Sequence, residues 1–444
     1  MLMPPPSSTS ARPPAPPGAN ASLDKWLSYL EAIHPTEIDL GLDRVLVVLR
    51  RLFPRKPAAR IITVAGTNGK GSCVAALEAL LLADGRTTGA YTSPHLQDYN
   101  ERVRVNGVDV DDEALVSAFE RVEAARKSVS LTYFEFGTLA AFVVFADSGV
   151  DDWILEVGLG GRLDAVNVMD ADFAILTSVD IDHVAFLGND REVIGFEKAG
   201  VLRPGISAVY AEPDPPRSVL QQVQAQKVAL ALAGRDYTVV KPGDEGGDHP
   251  LRFGAVRLIY GDERIELPEG PLPVNSVAAA VVAVRQLQPG LPVSMIENVL
   301  RGLAVPGRLE RLAEKPAIYV DVGHNPHAAE WLSGRLASLH KDGAKVRAVY
   351  AALGDKDVEG VVRAMSKVVD HWYLAGLDVP RGLTGRELLR RFSSVVDAGA
   401  DVSEDVPSAL SRVREDAVNQ DLVIVFGSFF TVAKARASLG ASRT

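Results

Sequence analysis

The sequence predicts an α/β protein made of two consecutive domains, each built on a mostly parallel sheet. Apolar, β-branched runs alternate with helical segments, and this alternation is typical of parallel sheets that helices cover on both faces. The alternation stops at Val305-Pro306-Gly307, where proline and glycine indicate a boundary, and then begins again. We therefore expect a larger domain at 23–304 and a smaller, Rossmann-like domain at 305–444.

Length and composition agree with such a globular protein. The chain has 444 residues, and at about 150 residues per domain this predicts two or three domains. The net charge of -10 disfavours nucleic acid or an anionic membrane as a partner. The single cysteine, Cys73, excludes an internal disulfide and a cysteine-cluster metal site. No apolar run reaches the roughly 18 residues that a membrane-spanning helix needs.

The first 22 residues differ from the rest of the chain. They are rich in proline, serine and alanine, and their only charge is Arg12. They contain no apolar stretch of the kind found in secretory signals. Because such a composition buries too little apolar surface to offset its ordering entropy, we expect residues 1–22 to be a disordered tail and the protein to be cytoplasmic.

Local patterns predict the elements of the first domain in order. Helical periodicity occurs within Leu23–Leu52, where PTEIDLGL interrupts it, and at Ser72–Ala83, Asp112–Lys127, Glu135–Ala146, Ser276–Leu287 and Ser294–Leu303. Buried-strand runs occur at Ile61–Ala65, Asp152–Val157, Phe173–Thr177 and Ala208–Ala211, and a short strand ends at Tyr91. Asn106-Gly107 between alternating residues predicts a hairpin. Residues 234–270, with the loop KPGDEGGDHP, predict a small antiparallel excursion.

The second domain shows the same alternation. Strand patterns occur at Ile318–Val322, Val346–Tyr350, Trp372–Ala375 and Leu422–Phe426, with helical segments between them. Polar clusters follow two of these strands, at Asp321–Pro326 and Leu353–Asp357. Since the carboxyl ends of parallel strands meet at one edge of a sheet, we expect both clusters to lie on the face that meets the first domain.

The strongest indication of chemistry is Gly66-Thr67-Asn68-Gly69-Lys70-Gly71-Ser72, between a predicted strand and a predicted helix. Backbone N–H groups in such a turn and the helix N-terminus form a concave site for anions. Lys70 supplies charge for terminal phosphates, and Ser72 supplies a hydroxyl for Mg²⁺. The turn departs from the general phosphate-loop pattern because Gly71 stands between the lysine and the serine. Nucleotide phosphate binding is favoured over a merely tight glycine turn.

Two further strand ends carry candidate ligands. Glu156 ends an apolar strand and precedes a glycine-rich turn, and a carboxylate there suits Mg²⁺ beside phosphates. A surface glutamate at a strand end is the alternative. His183 follows the next strand in TSVDIDH. A lone histidine is more often structural, but converging strand ends place it within reach of an ion at Glu156. Lys198, in FEKAG, is compatible with a counter-charge for phosphates.

Six ordered motifs give the chain a resemblance to a known family. They are VAGTNGKGS, YTSPHL followed by ERVRV, LEVGLGGRLDAVN, FEKAGVL, PGRLE and DVGHNPHAA. From about Leu23 to Phe430 the chain resembles the folylpolyglutamate synthase/dihydrofolate synthase branch of the Mur-ligase-like ATP-dependent amide ligases. This resemblance implies an N-terminal phosphate-loop ATPase domain of the Mur-ligase central type and a C-terminal glutamate-ligase domain. The GKG-Ser form of the loop is this family's own variant.

The resemblance implies a role for each matching residue. ATP would contact Thr67, Asn68, Gly69, Lys70, Asn275, Arg308 and Asp321. One or two Mg²⁺ ions would be bound by Ser72, Ser93, Glu156 and His183. Lys198 matches a lysine that becomes N6-carboxylated, and Lys70, Lys198 and His183 would be catalytic. His324 and Ser428 match positions associated with glutamate binding or closure.

The acceptor is implied by two segments that resemble the bacterial bifunctional enzymes, IDLGL and SLTYFEFGTLAA. By this match a dihydropteroate pocket would be lined by Ile38, Asp39, Leu40, Thr132, Tyr133, Phe134, Glu135, Leu163, Asp164 and Ala165. Thr132 with Glu135 also reads as a capping box. Two departures affect the shape of the pocket: Val184-Ala185-Phe186 replaces an acidic residue and a tryptophan, and Gly323 replaces alanine.

The resemblance therefore implies an enzyme that adds L-glutamate to 7,8-dihydropteroate and to reduced folates through an acyl phosphate. Nothing in the sequence indicates its oligomeric state, and a monomer is our default expectation. A monofunctional folylpolyglutamate synthase is one alternative. A nucleotide-dependent switch without ligase chemistry is another, but the intact set of Lys70, Glu156, His183 and Lys198 disfavours it. A cell-wall muramyl ligase is a further alternative, although TSPHL and TYFEFGT resemble the folate branch.

Overall fold

The computed structural model describes residues 14–18, 20–36, 38–241, 255–340, 343–396 and 399–441. The helices are α1 Leu23–Ala32, α2 Asp43–Leu52, α3 Lys70–Ala83, α4 Asp112–Arg126, α5 Tyr133–Ser148, α6 Val184–Leu187, α7 Arg191–Lys198, α8 Arg217–Ala225, α9 Val274–Leu287, α10 Val293–Arg301, α11 Pro326–Leu339, α12 Val358–Met365, α13 Gly385–Phe392, α14 Val406–Asp416 and α15 Phe429–Ser438. In the described ranges, the helices are all too short or too polar to span a bilayer.

The strands form three sheets. The first contains β1 Arg60–Ala65, β2 Thr88–Tyr91, β3 Val103–Val105, β4 Val108–Asp109, β5 Asp152–Glu156, β6 Phe173–Leu176, β7 Ser207–Tyr210 and β8 Ala229–Leu232. The second contains β9 Tyr237–Val240, β10 Ala255–Tyr260 and β11 Glu263–Pro268. The third contains β12 Glu310–Glu314, β13 Ala317–Asp321, β14 Val346–Tyr350, β15 His371–Ala375, β16 Ala400–Ser403 and β17 Leu422–Phe426.

The two large sheets are mostly parallel, which confirms the predicted fold class. The first has the order β4-β3-β2-β5-β1-β6-β7-β8, and only β3 and β4 run antiparallel to their neighbours. The third has the order β12-β13-β17-β14-β15-β16, and only β12 is antiparallel. Both orders reverse at a central strand, and in such sheets ligands bind beyond the carboxyl ends of the strands.

Burial shows why β1 reads as a continuous apolar run. Ile61 packs into a core with α1, α2, α4 and α5, whereas Ile62 packs into a separate core with α3 and α9. Neighbouring side chains of a strand point to opposite faces, so both faces of the first sheet are covered. The small antiparallel sheet packs on the second of these cores, as Val256 and Leu258 of β10 show.

Local sequence explains several element ends. Thr132 Oγ1 accepts from Glu135 N and Glu135 Oε2 accepts from Thr132 N, which confirms the capping box at the start of α5. Asn106 and Gly107 both have positive φ, 52° and 80°, as the tight turn of the β3–β4 hairpin requires. Helix α3 begins at Lys70, two residues before the predicted start, because Gly69 adopts the left-handed conformation at its N-cap.

Three strands were not predicted, namely β8, β12 and β16. Each lies at a sheet edge and is only partly buried, so its sequence lacks the apolar run of a central strand. Most of the loop KPGDEGGDHP, residues 242–250, lies outside the described residues, as do residues 1–13 and 19 of the predicted tail. The antiparallel excursion itself is confirmed by β9, β10 and β11.

Candidate active site

The phosphate loop, residues 66–69, connects β1 to α3, and two of its glycines are required by close packing. A Cβ at Gly66 would lie 1.9 Å from Thr177 Oγ1, and one at Gly69 would lie 2.1 Å from Ser276 Oγ. Both glycines also have positive φ, 147° and 79°. A residue with a Cβ atom would be strained at these φ values and would clash with those hydroxyl groups, so the loop conformation depends on both glycines.

The carboxyl end of β6 holds the loop in place. Thr67 N donates to Ser178 O at 2.9 Å, and Asn68 N donates to Ser178 Oγ at 2.9 Å. Thr177 Oγ1 donates to Asn68 O at 2.7 Å. The loop is therefore fixed before any ligand binds, with its lysine at the first position of α3.

Two lysine side chains converge on the loop. Lys70 Nζ donates to Gly66 O and to Thr67 O, each at 3.1 Å, and Lys198 Nζ donates to the same Gly66 O at 3.0 Å. Lys198 is buried. Its desolvation, followed by the charge of Lys70, lowers the pKa of Lys198 to about 7. Desolvation also lowers the pKa of Lys70, against the charges of Glu156 and Asp182.

The structure brings two predicted metal ligands, Ser93 and Glu156, together beside the first turn of α3, which carries the third, Ser72. Glu156 ends β5 and is buried, and its Oε2 accepts from Ser93 N at 3.3 Å. Burial raises the pKa of Glu156, whereas the charges of Lys70 and Arg308 lower it. A methyl group at Gly71 would lie 3.5 Å from Glu156 Oε2 and 3.8 Å from Arg308 Nη2, so both side chains lie against the first turn of α3.

Ser72 supplies the observation that tests whether these residues suit a cation. Its Oγ is buried and has no hydrogen-bond partner. Burying a hydroxyl that has no hydrogen-bond partner destabilises the folded protein unless a ligand interacts with that hydroxyl. Hydroxyl and carboxylate oxygens are the donors that Mg²⁺ takes, so Ser72 and Glu156 fit this ion.

The structure does not join His183 to this group. Within the described ranges, no hydrogen bond or ion pair links His183 to Glu156, and no three His, Cys, Asp or Glu side chains are grouped as a metal site. His183 has positive φ, 51°, and its N donates to the neighbouring Asp182 Oδ1 at 2.7 Å. Desolvation lowers the pKa of His183 to about 4, so the ring is neutral at physiological pH.

A polar cluster joins the first sheet to the third, as expected for the polar segments that follow β13 and β14, although we did not predict their pairing with Asp182. The Asp182 carboxylate accepts from Lys356 Nζ at 2.6 Å and from Asn325 Nδ2 at 3.0 Å, and His324 Nε2 lies 3.4 Å from it. Burial would raise the pKa of Asp182, but the hydrogen bond and charge of His324 and the charge of Lys356 lower it far below its usual value. Asp182 and Lys356 both belong to polar segments that follow strands, and this position is the sequence feature that could have indicated their contact.

The third sheet also contacts the phosphate loop itself. Asn68 Nδ2 donates to Asn325 Oδ1 at 3.0 Å, and Asn325 Nδ2 donates back to Asn68 Oδ1 at 2.9 Å. His327 Nδ1 lies 2.9 Å from the same Asn68 Nδ2, and its Nε2 lies 3.4 Å from Glu212 Oε1. The hydrogen bond that the His327 ring donates to the Glu212 carboxylate raises the pKa of His327.

The other predicted nucleotide residues are spread around this junction. Asp321 is buried, and its carboxylate accepts from Leu309 N at 2.8 Å and from Gly323 N at 2.7 Å. Arg308 precedes Leu309 and lies over the Phe429 ring, with 5.5 Å between its Cζ and the ring centroid. Asn275 is the second residue of α9 and is exposed.

The two predicted glutamate residues occupy different places. His324 lies in the cluster around Asp182, whereas Ser428 is the N-cap of α15, and its Oγ accepts from Thr431 N at 3.0 Å. In the part of the chain that the structure describes, no hydrogen bond joins these two side chains. Gly323 precedes His324, and a Cβ there would lie 2.8 Å from Asp321 Oδ1. The glycine thus allows the short turn that holds Asp321.

Two of the predicted acceptor residues, Phe134 and Asp164, lie beside the turn after β5. A Cβ at Gly158 would lie 2.6 Å from the Phe134 ring, which stacks at an angle on Tyr91 with 6.0 Å between centroids. Asp164 is buried, and its carboxylate accepts from Leu159 N at 2.8 Å and from Val166 N at 3.0 Å. Burial raises the pKa of Asp164 to about 6. Phe134 and Asp164 therefore lie on neighbouring sides of one turn.

The remaining acceptor residues differ in exposure. Thr132 and Ala165 are buried, Tyr133 is half-buried and Leu163 is exposed. Among the residues that differ from the family pattern, Val184 and Phe186 are exposed, and Ala185 lies between them on α6.

Arg102 is a second residue that we did not assign, although it lies in the ERVRV motif. It is almost fully buried, and its Nε donates to His95 Nδ1 at 2.8 Å. Its Cζ lies 5.3 Å from the Tyr99 ring centroid and 5.7 Å from that of Tyr133. Burial and the charge of Arg102 lower the pKa of His95 to about 4. Arg102 therefore lies between Tyr133 and the TSPHL segment and contacts both.

A phosphate loop, a buried carboxylate beside it and a second parallel sheet that contacts the loop define an ATP-dependent ligase of the Mur type. In agreement, the family model "Mur ligase, glutamate ligase domain" matches residues 307–429. The dihydrofolate synthase/folylpolyglutamate synthase of Escherichia coli (strain K12) is 43% identical over 434 residues, which cover 96% of this chain and 98% of that protein.

Two solved structures are similar over the same range. The structure of "E.coli FolC in complex with DHPP and ADP" has a TM-score of 0.88 at 40% identity, and the match covers 96% of this chain and 100% of that one. A bifunctional folylpolyglutamate synthase/dihydrofolate synthase with Mn, AMPPNP and L-glutamate bound has a TM-score of 0.87 at 41% identity, with the same coverage. The chain belongs to the dihydrofolate synthase/folylpolyglutamate synthase family, which confirms the resemblance seen in its motifs.

Proposed function

We propose that this protein is an ATP-dependent ligase that adds L-glutamate to 7,8-dihydropteroate and to reduced folates. The observation that carries the proposal is the junction at the phosphate loop, where Lys70, Glu156 and the third sheet meet. Relatives named for both activities, and related structures that hold DHPP, ADP, a nucleotide analogue and L-glutamate, support it. They disfavour a switch without ligase chemistry and a muramyl ligase.

The reaction has two steps. The acceptor carboxylate attacks the γ-phosphorus of ATP, the bond to ADP breaks, and an acyl phosphate forms. The glutamate α-amine then attacks the acyl carbon, inorganic phosphate leaves, and the amine loses a proton as the amide forms. Lys70 lies at the loop, where it neutralises charge on the transferring phosphoryl, so the protein contributes mainly by positioning and electrostatics.

The metal site would consist of Ser72, Ser93 and Glu156, and His183 would join it from the β6–α6 connection. Bound Mg²⁺ supplies positive charge to the phosphate oxygens. The partnerless Ser72 Oγ and the buried Glu156 are the observations that support this assignment.

We also propose that Lys198 is N6-carboxylated. A neutral amine reacts with CO₂ to give a carbamate and a proton, and the pKa of about 7 makes the neutral form abundant at Lys198. The product would replace an ammonium that now competes with Lys70 for Gly66 O. Its negative charge would suit a site that holds a cation.

The other assignments keep their expected roles as proposals. Thr67, Asn68 and Gly69 would hold the phosphates, while Asn275, Arg308 and Asp321 would complete the nucleotide site. His324 and Ser428 would take part in glutamate binding. Ile38, Asp39, Leu40, Thr132, Tyr133, Phe134, Glu135, Leu163, Asp164 and Ala165 would form the dihydropteroate pocket.

The proposed division of the chain keeps 1–22 as a tail, 23–304 as the ATP- and pterin-binding domain and 305–444 as the glutamate-ligase domain. We further propose that the protein acts as a monomer in the cytoplasm. Light scattering of the purified protein tests the first of these two properties, and cell fractionation tests the second.

A product assay tests the function. Dihydropteroate and tetrahydrofolate are offered separately with ATP, Mg²⁺ and L-glutamate, and the amide products are identified by mass. Dihydrofolate in the first reaction and a glutamylated tetrahydrofolate in the second are expected. Product from tetrahydrofolate alone would show the monofunctional alternative, and ATP turnover without any amide would refute ligase chemistry.

A further inference from the structure

Arg44, near the start of α2, contacts two segments of the proposed acceptor pocket. Its Nε donates to Glu135 Oε2 at 2.9 Å, and its Nη2 lies 2.7 Å from Glu135 Oε1. Its Nη1 lies 2.7 Å from Asp39 Oδ2, and its Nη2 also donates to the Asp39 carbonyl. One planar guanidinium thus holds residues from both the IDLGL and the TYFE segments, with the two-point geometry that arginine offers carboxylates.

Both carboxylate oxygens of Glu135 are occupied by contacts within the protein. Its side chain is only 5% exposed, and besides Arg44 its Oε2 accepts from Thr132 N at 2.8 Å. Both carboxylate oxygens therefore have protein partners at the N-terminus of α5. Glu135 follows Phe134 directly, so it acts on the pocket by fixing the helix start that carries Phe134.

The segment on the other side depends on Arg44 even more. Residues 38–40 belong to no helix or strand. Among the described residues, the guanidinium of Arg44 is the only hydrogen-bond partner of their backbone. The Asp39 side chain is 44% exposed, and its other neighbour is the His34 ring, whose Nε2 lies 3.5 Å from Asp39 Oδ2. Without Arg44 little else would fix the distance from this segment to α5.

We propose that Arg44 is a positioning residue that sets the acceptor pocket by tying residues 38–40 to the start of α5. The proposal rests on the proposed function, because it takes those two segments as the walls of the dihydropteroate site. Arg44 acts through Asp39 and Glu135, so its loss affects binding of the acceptor and not of ATP or L-glutamate, whose proposed residues form no hydrogen bond or ion pair with Arg44 in the described part of the chain.

The test compares Arg44→Gln with Arg44→Lys and with a matched control on the same helix. Arg51 is the control, because it lies about two turns further along α2, where its Nη1 donates to Ala125 O and Arg126 O at the end of α4 and not to an acceptor segment. For each variant, KM is measured for dihydropteroate, ATP and L-glutamate, together with kcat and the unfolding midpoint. Arg44→Gln is expected to raise KM for dihydropteroate about tenfold, which corresponds to about 1.4 kcal/mol, with the other constants changed less than about twofold.

Arg44→Lys keeps the charge but not the fork, so an intermediate KM is expected. Arg51→Gln is expected to leave all three KM values unchanged even where it lowers the midpoint. Equal increases in all KM values, or an effect of Arg51→Gln as large as that of Arg44→Gln, would show an ordinary structural contact and overturn the proposal.

A double-variant comparison keeps the test sharp if Arg44→Gln folds poorly. Asp39→Asn alone is expected to raise KM for dihydropteroate, but to add little in the Arg44→Lys background, because both changes break the same contact. Additive effects would contradict the proposal. If the parent protein turns over tetrahydrofolate and not dihydropteroate, the bifunctional assignment fails, and the same KM comparison with tetrahydrofolate then decides the role of Arg44.

Discussion

The side-chain amides of Asn68 and Asn325 hydrogen bond to each other twice, at 3.0 and 2.9 Å. Asn68 belongs to the phosphate loop, whereas Asn325 caps α11 beside the third sheet and is buried. The loop proposed to hold ATP phosphates is therefore also a contact between the two parallel sheets. The same pair of amides thus contributes both to the loop that would hold the transferring phosphoryl group and to closure of the site.

Loss of this amide pair is expected to uncouple ATP use from ligation. In Asn325→Ala, looser closure lets water reach the acyl phosphate, so more ADP forms for each amide bond. A net hydrogen bond of about 1 kcal/mol corresponds to an increase of about fivefold in this ratio. The ratio is measured from ADP and dihydrofolate in the same reaction. Asn298→Ala, on the exposed face of α10, is the control, and an unchanged ratio in Asn325→Ala would contradict the prediction.

The ion pair between Asp182 and Lys356 is expected to stabilise the junction. Both side chains are buried and lie 2.6 Å apart. Lys356→Met leaves the carboxylate without its closest cation, and removing one partner of a buried pair costs about 3–5 kcal/mol in free energy of unfolding. Denaturant unfolding measures this loss. The exposed pair Lys367–Glu330 is the control, and Lys367→Met is expected to cost less than about 1 kcal/mol.

The same pair has a defined pH dependence. The pKa of Asp182 is lowered in the folded protein, so its stabilising effect is present above the unfolded value of about 3.9 and is lost as pH falls below it. The free energy of unfolding, measured between about pH 3 and pH 7, should therefore decrease less on acidification in Asp182→Asn than in the parent protein. An equal loss would argue against this role of Asp182.

Carboxylation of Lys198 is expected to increase with pH and with CO₂. Because its pKa is about 7, the reactive neutral amine increases as pH rises through that value. Carbon-13 NMR of protein in labelled bicarbonate should show a carbamate signal that Lys198→Arg lacks, since arginine stays protonated. Activity should fall in CO₂-depleted buffer and should be severely reduced in Lys198→Ala. A fully active alanine variant would refute the proposed modification.

Removing the hydroxyl of Ser72 is expected to weaken binding of Mg²⁺ without disturbing the fold. Ser72 Oγ has no protein partner to lose, so the unfolding midpoint of Ser72→Ala should match that of the parent. The Mg²⁺ concentration for half-maximal rate should rise at least about tenfold. Thr88→Val is the control, because Thr88 Oγ1 is another partnerless buried hydroxyl, on β2. An unchanged Mg²⁺ requirement in Ser72→Ala would exclude Ser72 as a ligand.

Changes in the acceptor pocket are expected to separate the two activities. Phe134→Ala and Asp164→Asn should depress dihydrofolate synthesis more than polyglutamylation, by roughly 1–3 kcal/mol, because a glutamylated folate carries its reacting carboxylate farther from the pterin. Glu156→Ala should abolish both activities. Paired kinetics with dihydropteroate and tetrahydrofolate measure the difference, and equal losses for both acceptors would contradict a distinct dihydropteroate pocket.

Asp164 also predicts a pH effect on acceptor binding. Its pKa of about 6 means that the carboxylate takes up a proton as pH falls through that value and loses acceptor capacity for the N–H groups of a pterin. KM for dihydropteroate should therefore rise below about pH 6 in the parent protein and stay flat in Asp164→Asn. The same rise in the asparagine variant would assign the effect to another group.

The local elements could be predicted from the sequence, because their causes are local. The β-branched run before Gly66 and the left-handed Gly69 predict strand, loop and helix within a dozen residues, and Thr132 with Glu135 predicts the start of α5. The edge strands β12 and β16 were missed because half-buried strands have no strong apolar pattern. The motifs identified the family because each of them is also local, being a short run of consecutive residues.

The contacts between side chains that are distant in the chain became visible only in the folded structure. Asn68 and Asn325 are 257 residues apart, and Asp182 and Lys356 are 174 apart. Arg44 reaches Glu135 across 91 residues. Periodicity and turn chemistry report backbone preferences, whereas these pairings depend on the order of strands and on how one sheet faces another. Separation in the chain carries no information on either, so the packed fold was needed to show how the phosphate loop is joined to the third sheet.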